Sequence, residues 1–299
     1  MRSKVGDADA PAAAATVQRC RLDLPRGYPV EQVLAFYARR AIPGVELVEA
    51  ARYRRSFLHA GQPGWLQFDL GSGEVTIEHT DPATVPLVLA RLRLLFDLDA
   101  PQARIRRALG RDPRLAALLQ IHGDIRVPGC WDGFELGVRA VLGQQITVAA
   151  ARTIAGRLVA RHARRIATAA ADEPCHSLFP GAAELATADL DGLGLPGARV
   201  ATLHALAAAV AAGELSFEPG QAPPDFVARC TAVRGIGAWT AHYMAMRALR
   251  DADAFPAADI VLRKVLQPGT TLSARALEQA SQAWRPYRAY AVLLLWRAA

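Results

Sequence analysis

The sequence predicts an α+β fold, in which a small N-terminal domain with an antiparallel sheet is followed by two all-helical lobes. Short runs that alternate apolar and polar residues, separated by glycine-containing turns, occur only before Asp99. Beyond Asp99, the apolar residues recur at helical spacing. Alanine and leucine dominate the composition and only 7% of the residues are aromatic, which favours helix.

The N-terminal domain is expected to span residues 16–99, after a disordered tail of small and polar residues at 1–15. Glycine-containing segments at 61–64 and 71–73 are typical of hairpins that join neighbouring strands. Strands are predicted at Val17–Leu24, Tyr53–His59, Trp65–Leu70 and Val75–Glu78, and helices at Val30–Ala41 and Thr84–Phe96.

The rest of the chain is predicted to form the two helical lobes. Residues 100–130 and 251–299 are assigned to one lobe, and residues 131–250 to the other, which contains two helices joined by a short turn at about 225–250. The predicted helices are Gln102–Leu109, Arg114–Ile121, Trp131–Leu142, Thr147–His162, Ala182–Ala188, Pro196–Ala212, Asp225–Ala232, Trp239–Leu249, Ile260–Leu266, Ser273–Ala283 and Pro286–Arg297.

The composition favours a large apolar core and a polyanionic partner. Of the 299 residues 52% are hydrophobic, but no apolar run reaches the roughly 18 residues that would span a bilayer. The start of the chain lacks the apolar segment of a signal peptide, so we expect a cytoplasmic protein without membrane contact. The formal net charge of +7 favours nucleic acid, although genome composition can also produce a high arginine content.

The four cysteines are not arranged as a metal site. Cys20, Cys130, Cys175 and Cys230 are far apart in the sequence, and no two of them form a C-x-x-C pair. We therefore interpret them as buried thiols or incidental surface residues, without zinc or an iron–sulfur cluster.

Two glycines one residue apart, Gly235 and Gly237, lie between two predicted helices. Glycine adopts positive φ and has no Cβ, so the backbone can turn sharply and approach another molecule closely. The second helix begins at about Ala238, and its free N–H groups and dipole suit a phosphate oxygen. An ordinary tight turn between packed helices would have the same pattern.

Asp259 follows an irregular, proline-containing connection and precedes a predicted helix. Aspartate is a favoured N-cap residue, which would accept the N–H of Val261 or Leu262. The same contact would fix the direction of its carboxylate among apolar neighbours, where its charge is poorly solvated. Asp259 is therefore a candidate catalytic carboxylate as well as a structural cap.

These segments together resemble the AlkA-type 3-methyladenine glycosylases of the helix-hairpin-helix superfamily of DNA glycosylases. The resemblance is carried by the sequence G-I-G-x-W-T-A at the hairpin, by F-x-x-x-D about 20 residues further on, and by W-x-P-x-R-x-Y from Trp284 to Tyr290. The segments from Val127 to Glu135 and from Arg139 to Gln145 resemble those around the family's first central helix. The resemblance extends from about Thr16 to Arg297.

The resemblance implies a base-excision repair enzyme that flips a damaged nucleotide out of duplex DNA and hydrolyses its N-glycosidic bond. Asp259 matches the catalytic aspartate, which would stabilise the positive charge that develops on the sugar. The implied substrates are alkylated purines such as 3-methyladenine and 7-methylguanine, and we expect a monomer. The alternative is a helix-hairpin-helix DNA-binding protein without catalysis, which would not need Asp259 beside an aromatic pocket.

The resemblance also implies which chemistry is absent. Members with lyase activity carry a lysine at the position of Trp239, which cannot form a Schiff base, so we expect no strand cleavage. Members with an iron–sulfur cluster have four closely spaced cysteines near the C-terminus, whereas no cysteine follows Cys230. No cofactor is expected, except that the backbone carbonyls of Arg234, Gly235 and Gly237 match a family site for Na⁺ or K⁺.

Further residues match the family's base pocket and DNA contacts. Trp239, Tyr243 and Trp296 match aromatic walls that attract cationic purines, although plain core packing would also use such residues. Gln145 matches the leucine of the prototype that wedges into the gap left by the flipped base. A glutamine could instead hydrogen-bond the orphaned base, or simply be exposed at a helix end. The residues matched to the DNA phosphate are Arg234, Gly235, Ile236 and Gly237.

Overall fold

The computed structural model describes residues 15–166, 173–218, 220–266 and 271–299. The predicted disordered tail lies outside these residues, apart from Ala15. Within the described residues an antiparallel sheet is followed by helices, so the predicted α+β class is confirmed.

The sheet consists of five strands, namely β1 (Thr16–Arg21), β2 (Glu46–Glu49), β3 (Arg52–His59), β4 (Gln62–Asp69) and β5 (Glu74–His79). Their order is β1-β5-β4-β3-β2, and every neighbouring pair is antiparallel. The sequence did not predict β2, because its four residues show no alternation of buried and exposed side chains.

Two helices, α1 (Val30–Ala38) and α2 (Thr84–Leu95), pack on the sheet and complete the first apolar core. The rings of Tyr37, Tyr53 and Phe96 meet at its centre, with centroids 5.2 to 5.4 Å apart. The sequence predicted α1 to reach Ala41, which instead lies beyond the helix end and is 5% exposed. A buried turn thus extended the apolar periodicity past the end of the helix.

The remaining helices are α3 (Gln102–Leu109), α4 (Pro113–His122), α5 (Gly133–Leu142), α6 (Val148–His162), α7 (Ala182–Ala186), α8 (Gly197–Ala211), α9 (Pro223–Ala232), α10 (Ala238–Ala248), α11 (Ile260–Val265), α12 (Ala274–Ser281) and α13 (Arg288–Arg297), with a 3-10 turn at Gln282–Trp284. Each predicted helix of this region has a counterpart. The ends differ by a few residues, as expected where helices fray.

Helix α5 is the centre of the helical part. It packs against α6, α8 and α10, and all of its residues from Phe134 to Leu142 except Arg139 are buried. Most of the buried apolar residues of the helical part form one connected cluster, which contains members of both predicted lobes. The boundaries proposed for the lobes stay a prediction.

Four charged side chains join the sheet domain to α5, and we call them the ion cycle. Arg55 of β3 lies 2.9 Å from the Glu135 carboxylate and 3.3 Å from that of Glu46, and Arg139 lies 2.5 Å from Glu46 and also contacts Glu135. Burial acts to raise the pKa of Glu135, but the guanidinium groups of Arg55 and Arg139 outweigh it and hold that pKa below its usual value. The ion cycle therefore fixes the two parts of the chain together through buried charges.

Replacing Glu135 with glutamine should lower the free energy of unfolding by about 3–5 kcal/mol, because the buried guanidinium group of Arg55 and the partly buried one of Arg139 lose a charged partner. Urea denaturation measures the difference. The matched control is Glu214→Gln, since Glu214 is exposed and outside the ion cycle, and its effect should stay within about 0.5 kcal/mol. Equal effects of the two changes would show that the ion cycle does not stabilise the fold.

None of the described helices is both long and apolar enough to cross a membrane. The described residues also contain no group of three or more histidine, cysteine or acidic side chains placed to hold a metal ion. Cys175 and Cys230 are buried, while Cys20 and Cys130 are partly exposed, and all four are free thiols.

Candidate active site

A cavity of about 710 Å³ lies where the sheet domain meets the helical part of the chain. Residues of α1, α5, α6, α10 and α13 form its wall, together with Asp259 at the start of α11. Trp239, Tyr243 and Trp296 also line it. The structure therefore brings the predicted catalytic carboxylate and the three predicted aromatic residues together in one cavity.

The carboxylate of Asp259 is held by three hydrogen-bond donors. The N–H groups of Val261 and Leu262 donate to Oδ1 at 2.8 and 2.9 Å, so Asp259 caps α11 as the sequence predicts. The indole Nε1 of Trp239 donates to Oδ2 at 2.7 Å. Asp259 is 7% exposed, so these contacts fix an acidic group in a poorly solvated wall of the cavity.

The aromatic residues of α10 form a flat surface beside Asp259. The rings of Trp239 and Tyr243 are nearly parallel, at 11°, with centroids 5.4 Å apart. Their spacing of four residues places them on the same face of α10. Because Trp239 also donates to Asp259, the position of the carboxylate is linked to the stacked pair.

The hairpin at residues 234–237 connects α9 to α10 and does not line the cavity. Gly235 has φ of +87°, and a Cβ on it would lie 2.0 Å from Oγ1 of Thr202. Ile236 is 4% exposed and anchors the hairpin in the core, whereas Arg234 and Gly237 are exposed. The hairpin is thus a tight turn, whose exposed residues directly precede the N-terminus of α10.

Gln145 lies in the loop between α5 and α6, exposed and with a left-handed φ of +60°. Its neighbour Gln144 donates from Nε2 to the Gly235 carbonyl at 3.1 Å and to Oγ1 of Thr240 at 3.4 Å. Gln145 does not line the cavity, but the next residue, Ile146, does. The candidate wedge therefore lies at the rim of the cavity and is tied to the hairpin through Gln144.

The sequence prediction omitted two arginines and a phenylalanine of the cavity wall. The guanidinium groups of Arg40 and Arg247 lie over the ring of Phe36, with Cζ 3.9 and 4.5 Å from its centroid. Arg247 also lies 4.8 Å from the centroid of the Tyr243 ring. Phe36 belongs to α1 of the sheet domain, and Arg40 follows that helix, so no local pattern in the sequence connects them with Asp259.

These features suit a planar group inserted from a polyanionic strand. The stacked rings can bind a flat heterocycle. The fixed carboxylate of Asp259 can stabilise positive charge that develops next to it. Outside the cavity, the hairpin and the N-terminus of α10 can approach a phosphate oxygen.

Comparisons with known proteins agree with this arrangement. Residues 8–132 match the family model of the AlkA N-terminal domain. A "Probable bifunctional transcriptional activator/DNA repair enzyme AlkA" of Mycobacterium tuberculosis H37Rv is 37% identical; the match covers 96% of this chain, which spans 58% of that relative's length. The "DNA-3-methyladenine glycosylase 2" of Escherichia coli K12 is 33% identical, over 90% of this chain and 93% of the relative.

Solved structures show the same fold. The 3-methyladenine DNA glycosylase from Archaeoglobus fulgidus superposes with a TM-score of 0.77 at 20% identity, covering 93% of this chain and 96% of that one. A structure described as MBOgg1 in complex with a low-affinity DNA ligand gives a TM-score of 0.64 at 15% identity, covering 84% of this chain and 96% of that one.

Proposed function

Because the chain belongs to the AlkA-type family of helix-hairpin-helix DNA glycosylases, we propose that it hydrolyses the N-glycosidic bond of alkylated purines in duplex DNA. The proposed substrates include 3-methyladenine and 7-methylguanine, and the proposed role is base excision repair. One observation carries the proposal: the Asp259 carboxylate is fixed by three donors in the wall of an aromatic cavity. A protein that only binds DNA has no use for that arrangement.

In the proposed reaction, the damaged nucleotide rotates out of the duplex and its base stacks in the cavity. The bond between sugar C1′ and the purine nitrogen breaks, and its electron pair leaves with the base, so a cationic alkylated purine departs neutral. Asp259 stabilises the positive charge left on the sugar. Water then bonds to C1′ and gives up a proton to the solvent.

The proposal includes hydrolysis without strand cleavage. Trp239 is the second residue of α10 and has no amine, so it cannot form the Schiff base that a lyase needs. Its indole N–H instead donates to Asp259. This contact supports a positioning role for Trp239 in hydrolysis.

Incubation with methylated duplex DNA should release 3-methyladenine and 7-methylguanine, which chromatography of the free bases detects. The DNA strand should break only after alkali, and borohydride should trap no protein–DNA adduct. A trapped adduct would contradict hydrolysis alone. Binding to the same DNA without base release would favour the non-catalytic alternative.

We expect Gln145→Ala to slow base release by about tenfold. The variant lacks the side chain that would fill the gap left in the DNA duplex by the flipped base, so the free-energy cost of unstacking that base is no longer offset. Single-turnover release from a duplex with one lesion measures the effect. Gln145 is exposed, so thermal stability should stay near that of the wild type. Unchanged release would show that Gln145 is only a surface residue at a helix end.

The carbonyls of Arg234, Gly235 and Gly237 are the proposed ligands of a monovalent cation. The Gly235 carbonyl accepts a hydrogen bond from Gln144, and the Gly237 carbonyl accepts one from Ala241 within α10. Each of these two carbonyls keeps a second lone pair for a cation, and no step of the proposed reaction involves such an ion. The cation, the monomeric state and the cytoplasmic location stay predictions.

A further inference from the structure

The cavity contains more positive than negative side chains. Seven arginines line it, namely Arg39, Arg40, Arg126, Arg139, Arg152, Arg247 and Arg297, against three acidic residues, Glu46, Glu135 and Asp259. Glu46 and Glu135 are occupied by Arg55 and Arg139 in the ion cycle. The remaining arginines of the wall are therefore not neutralised by these two carboxylates.

Arg40 and Arg247 both lie over the ring of Phe36 in the cavity wall. Both guanidinium groups lie within 4.5 Å of the Phe36 centroid, and among the described residues neither has a carboxylate within 4.0 Å. Their recorded hydrogen bonds go to backbone carbonyls, from Arg40 to Phe36 at 3.1 Å and from Arg247 to Pro128 at 2.7 Å. A guanidinium group without an acidic partner can pair with a carboxylate, because its fixed N–H donors match the two carboxylate oxygens.

The burial of Arg247 and the repulsion between the two arginines support an anion-binding role. Arg247 is 2% exposed, and its Nε has no hydrogen-bond partner among the described residues. Burial lowers the pKa of Arg40, the Tyr243 hydroxyl raises it, and the charges of Arg247 and Arg39 lower it. A bound anion would relieve this repulsion and would satisfy the buried donor.

The position of the pair indicates which anion it would meet. Arg247 lies 4.8 Å from the centroid of Tyr243, whose ring stacks on Trp239 beside Asp259. An anion held by Arg247 would therefore lie next to a base stacked on Tyr243 in the cavity. The cavity volume of about 710 Å³ lies within the range of about 300–1,000 Å³ that is typical of small-molecule sites.

We propose that Arg40 and Arg247 form an anion subsite in the cavity, which takes a carboxylate carried by the alkyl group of a damaged purine. This inference rests on the proposed glycosylase function. The aromatic rings bind the alkylated purine, and the guanidinium groups pair with its acidic substituent. Carboxyalkylated purines would then be better substrates than neutral adducts of the same size.

The test compares two nearly isosteric lesions in otherwise identical duplexes, 7-(carboxymethyl)guanine and the neutral 7-(carbamoylmethyl)guanine. Single-turnover release is measured after subtraction of spontaneous depurination. The wild type should release the carboxymethyl base at least about tenfold faster, as expected for a charge-assisted pair with a buried guanidinium. This ratio needs no variant, so a folding defect cannot obscure it.

Variants then locate the subsite. In Arg40→Gln the ratio between the two lesions should fall to near one. Arg26→Gln is the matched control, because it removes the same charge from an exposed arginine of the same domain that does not line the cavity, and it should keep the ratio. If the ratio fell to near one in both variants, the preference would come from the overall positive electrostatic field of the protein and not from a local subsite, which would overturn the proposal.

A duplex with 7-methylguanine tests the proposed glycosylase function separately from the anion subsite. If that base is not released, the proposed function fails. If it is released but the wild type shows no preference for the carboxymethyl lesion, the anion subsite fails alone. A loss in Arg40→Gln that is equal for both lesions would mean that Arg40 contacts the DNA backbone, which also overturns the subsite.

Discussion

Replacing Asp259 with asparagine should slow the release of 3-methyladenine from methylated duplex DNA by about 100- to 1,000-fold. The variant loses the negative charge that stabilises the sugar cation, and it keeps an oxygen that can accept the N–H groups of Val261 and Leu262. Asparagine is also a favoured N-cap, so α11 should remain folded. Single-turnover chromatography of the released base gives the rate, and circular dichroism gives the thermal stability.

The chain contains a close structural counterpart for the control. Asp112 caps α4 through the N–H groups of Arg114 and Leu115, and its second oxygen accepts the indole N–H of Trp284 at 2.9 Å. It does not line the cavity. Asp112→Asn therefore makes the same chemical change in the same local geometry, and release should stay near the wild-type rate. Equal rates in Asp259→Asn and the wild type would refute the catalytic assignment.

Replacing Gly235 with alanine should weaken binding to duplex DNA by at least about tenfold, which corresponds to about 1.4 kcal/mol. Its φ of +87° is strained for any residue with a Cβ, and that Cβ would lie 2.0 Å from Oγ1 of Thr202. Either the hairpin or α8 must shift, so the backbone that precedes α10 moves away from the phosphate. Fluorescence anisotropy with an undamaged duplex at fixed salt measures the affinity.

Gly237→Ala is the control for this change. Gly237 has φ of −89°, and a Cβ there would meet no atom within 4 Å. Both variants add one methyl group to the hairpin, but only Gly235→Ala forces it to move. If the two variants bind DNA equally well, the geometry of the hairpin does not determine binding.

Local signals in the sequence were sufficient to predict that Asp259 caps a helix and that the chain turns at Gly235. An N-cap aspartate is recognisable from its flanking residues, and Gly235 is recognisable from its position between two helical patterns. The type and approximate extent of most helices and strands followed from periodicity in the same way. These features could be predicted because the interactions that form them lie within a few residues.

The rest of the cavity could not be predicted in that way. Arg40 and Phe36 are about 200 residues away from Arg247, and only the packing of α1 against the helical part brings them together. The short strand β2 shows no alternation, and it is defined by its pairing with β3. Both depend on tertiary contacts, which leave no periodic pattern in the sequence.

The contact between α1 and the cavity has an evolutionary consequence. The Arg139 guanidinium donates to the Arg40 carbonyl at 2.7 Å, so α5 sets where the end of α1 lies. Part of the cavity wall therefore belongs to a different domain from Asp259. Mutation of that domain can change the shape and charge of the cavity while the residues around Asp259 stay the same. Under the proposed function, selectivity and catalysis can thus diverge independently along one gene.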